Sequence, residues 1–201
     1  LEFNNTYKAI VIGTSAGGLK VLKELFAALS PDFSMSVLVV QHLSPQSDGF
    51  MAHYLNKLSQ LTIKEADAGE LLLPNHAYIA PANYHLLVEK DHSLSLSVSE
   101  KVSYARPSID VLFESAAEVF LDQLIGILLT GANDDGAKGL VKIHRFGGLT
   151  IVQDPAEAEV PAMPLAALHT GEVDHVLGMG EMIKLLNTLS EQNHLGKQRS
   201  I

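Results

Sequence analysis

The 201-residue chain has no cysteine, which excludes thiol nucleophiles, disulfide frameworks, zinc–thiolate sites and iron–sulfur clusters together. Its chemistry must rest on serine, histidine and carboxylates. Positive charge is also scarce: 14 Lys+Arg stand against 23 Asp+Glu, for a formal charge of -9. No basic cluster is long enough to track a phosphate backbone, so no nucleic acid is expected as a partner. Long hydrophobic runs are missing too. The densest, Val37–Val40 and Ile125–Leu129, fall far short of the ~20 residues of a spanning helix, which predicts a soluble chain with no direct membrane insertion. The first six residues lack the basic and apolar regions of a signal peptide, so the expected location is cytoplasmic. The nine histidines show no H-x-x-x-H or H-E-x-x-H spacing, and no metal or other cofactor is expected.

What is present is 47% hydrophobic and 18% charged, the balance of a folded protein, in a length that suits one domain. Lys8–Ile12 is a short apolar run, followed by Gly13-Thr14-Ser15-Ala16-Gly17-Gly18 and then by Leu19, Leu22, Leu25, Phe26 and Leu29 at helical spacing. That is strand, tight turn, helix. Ser36–Gln41 supplies a second strand, and the helix between has the length of a parallel crossover. After a helical stretch near Gly49–Ser59, the runs Ala77–Ala80, His85–Glu89 and Leu94–Val98 look antiparallel and half exposed, with Lys90-Asp91-His92 as a hairpin turn. From Ser108 the alternation returns: helix Ser108–Phe120, strand Leu124–Leu129, helix Ala137–Phe146, strand Leu149–Gln153, a helix from near Pro164 to Gly171, strand Asp174–Leu177 and helix Glu181–Ser190. The expectation is a doubly wound α/β fold, with a mostly parallel sheet flanked by helices and a small antiparallel hairpin insertion. It occupies residues 7–190, between tails at 1–6 and 191–201.

In such sheets ligands bind beyond the carboxyl ends of the strands, at a topological switch point. Three strands end there in polar residues: the first runs into Ser15, the second into His42, and Leu124–Leu129 into Thr130-Gly131-Ala132-Asn133-Asp134-Asp135-Gly136. Gly13–Gly17 fits G-x-S-x-G, in which a sharp strand-to-helix turn exposes a serine hydroxyl. Serine needs an imidazole to take its proton and a carboxylate to orient that imidazole. The candidates are Ser15, His42 and Asp135. The helix starting at Ala16-Gly17 offers unpaired N–H groups for an oxyanion, with Ala16 first, and the glycine-rich loop around Ala132 could bring a second. Arg106 could bind a substrate carboxylate, with Ser108 as a helix cap, and Met163 lies where the cleft rim is expected. Blander alternatives stay open. Gly13–Gly18 could cradle a nucleotide phosphate, although Ser15 replaces a required glycine and Gln41-His42 replaces the ribose-binding acid. His42 could be a structural histidine, and Asp134 and Asp135 turn formers.

These motifs, in this order, resemble the catalytic domain of the chemotaxis receptor methylesterases, the CheB type. Also similar are Tyr78-Ile79-Ala80-Pro81 with His85-Leu86, Arg106-Pro107-Ser108-Ile109-Asp110-Val111-Leu112-Phe113, Gln153-Asp154-Pro155 and Met163-Pro164-Leu165-Ala166-Ala167. The resemblance runs from about Tyr7 to Leu186. It implies hydrolysis of glutamyl methyl esters on the cytoplasmic helices of methylated chemoreceptors, with deamidation of receptor glutamines as a second activity. It places the nucleophile on Ser15, the base on His42 and the triad acid on Asp135, with Asp134 where the family commonly has asparagine. Ala16 stands where the family often has threonine, and Ala132 where it often has methionine. The resemblance also implies a receiver or methyltransferase domain, in a larger protein or in trans. A non-catalytic receptor-docking adaptor is the remaining alternative.

Overall fold

The computed structural model describes residues 6–44, 46–47 and 49–198. The chain begins with β1 (Ala9–Thr14), α1 (Gly18–Ala28) and β2 (Ser36–Gln41). All six residues of each strand are buried, as expected where helices cover both faces of a parallel sheet. Side chains alternate between the faces with period two: Ile10 and Ile12 of β1 join one core, and Ala9 and Val11 join the other. Helix α1 buries Leu22, Leu25 and Phe26 completely in the first core, each worth roughly 1.5–3 kcal/mol of transfer free energy.

The chain continues through α2 (Phe50–Asn56), β3 (Thr62–Glu65), β4 (His76–Ile79), β5 (His85–Val88) and β6 (Leu94–Ser97). It then alternates α3 (Ile109–Phe120), β7 (Leu124–Leu128), α4 (Ala137–Arg145), β8 (Leu149–Gln153), α5 (Ala162–Leu168), β9 (His175–Leu177) and α6 (Met179–Gln198), with a 3₁₀ turn over Leu121–Gln123. Seven strands form one parallel sheet in the order β3-β4-β2-β1-β7-β8-β9, and β5-β6 form a separate antiparallel pair. The fold is the expected α/β architecture with a small hairpin. Helices α1, α2 and α6 pack on one face, and α3, α4 and α5 on the other. The chain leaves β1 toward β2 and later returns to its other side at β7, so the switch point lies beyond the end of β1.

Two expectations change, and one strand lies outside them. The run Ala77–Ala80 is not part of the antiparallel insertion: β4 pairs in parallel with both β2 and β3, because its buried Ala77, Tyr78 and Ile79 suit a sheet interior. Strand β3 gives little sequence signal, since Ile63 is its only buried residue and Lys64 is tied at the edge to Asp67 and Glu70. The last helix does not stop at Ser190 but continues to Gln198. Buried Asn193 holds it by donating to Tyr7 O (2.6 Å) and Ser34 Oγ (2.9 Å). No described helix is long and apolar enough to cross a membrane.

Candidate active site

The parallel register brings three loops together. Thr14 pairs with Gln41 at the end of the β1–β2 ladder, and His42 N donates to Thr14 O at 3.1 Å, so Ser15 and His42 leave adjacent strand ends side by side. The loop after β7 is tied to them through one carbonyl: Thr130 O accepts from Ser15 N (3.0 Å) and from Thr14 Oγ1 (2.9 Å). Gly17 then turns the chain into α1 at φ +80, a left-handed conformation that favours glycine.

His42 Nε2 lies 2.8 Å from Asp135 Oδ2. Asp135 is fully buried, yet its carboxylate has partners in every direction: Ile109 N donates to Oδ2 (2.7 Å), while Ser108 Oγ (2.8 Å) and Asp110 N (3.1 Å) donate to Oδ1. Burial alone would raise its pKa, but the bonds from His42, the two amides and the Ser108 hydroxyl outweigh that and hold it below the usual aspartate range. The amides belong to the first turn of α3, whose dipole also favours the anion. Asp134, by contrast, is exposed. With Nε2 engaged by the carboxylate, Nδ1 is the ring nitrogen left to accept a proton. Among the described residues Ser15 Oγ has no hydrogen bond to His42, and the two residues adjoin through their strand ends.

The predicted binding residues divide. Ala16 and Ala132 are exposed at the strand-end edge, and their N–H groups have no partner among the described residues, as oxyanion donors require. The Gly17 N–H is likewise unpartnered. Arg106 lines a cleft of about 280 Å³ with His42 and Asn133, but its guanidinium is largely committed. It donates to Asn83 Oδ1 from Nε and Nη2 (3.2 and 2.9 Å) and to the carbonyls of Val98 and Ser99 (2.7 and 2.9 Å). Four of its five donors are used, which fits a loop brace better than a carboxylate receptor. Met163 is not at the rim: it is fully buried, and a Cβ on Gly131 would lie 2.7 Å from its sulfur. Ser108 holds the cap position of α3 but makes no cap hydrogen bond, its hydroxyl going to Asp135 instead. Ser15 opens on a second cleft of about 390 Å³, with Gln41, Leu43, Phe50 and Met51 in its lining.

Sequence reasoning passed over Asp110, Thr130 and Gln41. Asp110 Oδ1 accepts from Gly136 N (2.9 Å) and Gly139 N (2.8 Å) at the start of α4. Burial, followed by the nearby charges of Asp135 and Glu114, pushes its pKa up to about 6 against the pull of the two amides. Thr130 Oγ1 reaches Ala16 O at 2.9 Å, and Gln153 Oε1 accepts from Thr130 N at 2.9 Å. The only sequence signal for these residues is a polar type inside a buried run. Among the described residues no group of three or more His, Asp and Glu could hold a metal ion.

Comparison with known proteins places the chain in a family. A CheB methylesterase family model matches residues 10–186. A protein of Leptospira interrogans named as a putative protein-glutamate methylesterase/protein-glutamine glutaminase is 48% identical over 187 residues, covering 93% of this chain and 97% of that protein. A Geobacter metallireducens protein-glutamate methylesterase/protein-glutamine glutaminase is 41% identical over 92% of this chain, which spans about half (51%) of its length. Among solved structures, the Thermotoga maritima CheB methylesterase catalytic domain superposes with a TM-score of 0.87 at 34% identity, covering 92% of this chain and 100% of that one. The chain therefore belongs to the CheB methylesterase family.

Proposed function

We propose that this chain hydrolyses glutamyl methyl esters on chemoreceptor signalling helices, releasing methanol, and deamidates receptor glutamines by the same acyl transfer. The observation that carries this is the pairing of half-buried His42 with fully buried Asp135 at 2.8 Å, set beside Ser15 on the neighbouring strand end. Ser15 Oγ attacks the ester carbonyl while His42 Nδ1 takes its proton, and Asp135 balances the imidazolium that forms. The tetrahedral oxyanion is met by the free N–H groups of Ala16 and Ala132. Its collapse breaks the acyl–oxygen bond, His42 returns the proton, and methanol leaves. Water then attacks the glutamyl-enzyme by the same route and frees the carboxylate. With glutamine as substrate, ammonia replaces methanol as the leaving group.

The phosphate-cradle reading of Gly13–Gly18 meets a charge conflict. The Glu159 side chain lies against Gly17, its Oε2 3.2 Å from where a Cβ would stand, so a carboxylate flanks the turn and would repel a doubly charged phosphate held in it. The test is methanol release from methyl-esterified chemoreceptor membranes. Release by the parent should fall by several powers of ten in Ser15→Ala; an unchanged rate in that variant would remove the serine mechanism.

A further inference from the structure

Gln41, the last residue of β2, is only 5% exposed. Its single amide nitrogen donates to two carbonyls, Ser15 O at 2.8 Å and His42 O at 2.9 Å. The amide cannot be turned over, because Oε1 would then face two carbonyl oxygens. The arrangement has a cost at the other atom: Oε1 is buried and has no hydrogen-bond partner among the described residues, a desolvation penalty with no return. Thr14 Oγ1 does not relieve it, since that hydroxyl donates to Thr130 O. The backbone gives way as well. A Cβ at position 18 would overlap Gln41 Oε1 and lie 2.6 Å from Thr14 Oγ1, so only glycine fits there.

A leucine or methionine at position 41 would fill the same space with no orphaned acceptor, so packing does not account for the amide. What the amide does is bridge two main chains at the point where the ladder gives out. The β1–β2 register ends at Thr14 and Gln41, and beyond it Ser15 and His42 diverge into separate loops. We infer that Gln41 is a positioning residue, whose side-chain amide fixes the backbones of Ser15 and His42 relative to each other so that hydroxyl and imidazole meet. This rests on the serine–histidine reading of the site proposed above. Small misplacements of reacting groups cost far more in rate than in binding.

Two variants test it, with methanol release measured over a range of receptor concentrations. Gln41→Met keeps bulk and burial and removes both donors. Its kcat should fall about 10- to 100-fold with KM changed less than about two-fold, while its circular dichroism and thermal midpoint match or exceed those of the parent. In Gln41→Glu the ionised carboxylate faces two carbonyls, whereas the protonated acid regains one donor, so its activity relative to the parent should rise as the pH is lowered. A folded Gln41→Met with the parent's kcat overturns the proposal. If the methionine variant fails to fold, a flat pH ratio for Gln41→Glu does so. Ser15→Ala run alongside separates the two levels: if the parent's activity needs Ser15 and Gln41→Met retains it, only the role of Gln41 falls. If Ser15→Ala is as active as the parent, the underlying reading falls, and the inference with it.

Discussion

Asp135 and Asp134 are neighbours in sequence with opposite surroundings. The carboxylate of Asp135 accepts from His42, Ser108 and two α3 amides, while that of Asp134 faces solvent. Asp135→Asn would turn an amide NH2 toward at least one of those donors and leave His42 without an anion. Methanol release should drop by about 10³- to 10⁴-fold, and stability by about 1–3 kcal/mol from the mispaired buried groups. Asp134→Asn should shift stability by less than about 0.5 kcal/mol and leave the rate near that of the parent. Kinetics and thermal melts of the two variants check this, and equal rate losses would reassign the orienting role. The strand-end placement of Ser15, His42 and Asp135 is legible in the sequence because each lies in the polar segment that follows a short apolar run. The environment of Asp135 is not legible, because Ser108, Ile109 and Asp110 approach from 25 to 27 residues away. In sequence Ser108 looks like a helix cap, and only its distance to Asp135 shows that its hydroxyl goes elsewhere.

At the scale of elements, α3 and α4 hold each other by their first turns. Asp135, just ahead of α4, accepts from the amides that open α3, while Asp110 on α3 accepts from Gly136 and Gly139 at the opening of α4. The exchange satisfies orphan amides at both helix ends, at the cost of bringing two carboxylates together. Burial first, and the Asp135 charge after it, leave Asp110 with a pKa raised from 3.8 to about 6 in the fold. A raised acid binds its proton more tightly when folded, so its contribution to stability is full below about pH 4 and is lost as the pH rises through about 6. Asp110→Asn cannot ionise. It should therefore gain on the parent between pH 4 and pH 8, by up to about 3 kcal/mol, in denaturant melts across that range; a constant difference would show that Asp110 does not titrate there. Most elements were readable from apolar periodicity, and β2 and β8 fall where the runs place them. The exceptions have physical reasons. Strand β3 exposes or half-exposes all but Ile63, and β4 is too short to reveal whether its partners run parallel or antiparallel. That is a tertiary matter, settled by packing between β2 and β3.

Across the whole molecule, the candidate site occupies one edge of the sheet and α6 closes the opposite one. Asn193 donates to Tyr7 O just ahead of β1 and to Ser34 Oγ just ahead of β2, while Ser190 Oγ accepts from Ser34 N and His194 Nε2 pairs with Asp32 O. The last turns of α6 thus bind the amino ends of the two strands whose carboxyl ends carry Ser15 and His42. Sequence periodicity misses this because the contacts are polar: Ser190 reads as the end of a helix and Asn193 as part of a tail until their burial shows them packed. Asn193→Ala strands a buried carbonyl and a buried hydroxyl, at about 1–3 kcal/mol, and should lower the thermal midpoint by roughly 3–10 °C in a domain of this size. The rate of methanol release at temperatures well below that midpoint should not change, because the register of β1 against β2 is set by their own ladder and not by α6. If Asn193→Ala stays folded but loses rate in proportion to its loss of stability, then the strands do transmit a displacement from one end to the other. In that case the alignment of Ser15 with His42 depends on both ends of β1 and β2, and not on the local clamp at Gln41 alone.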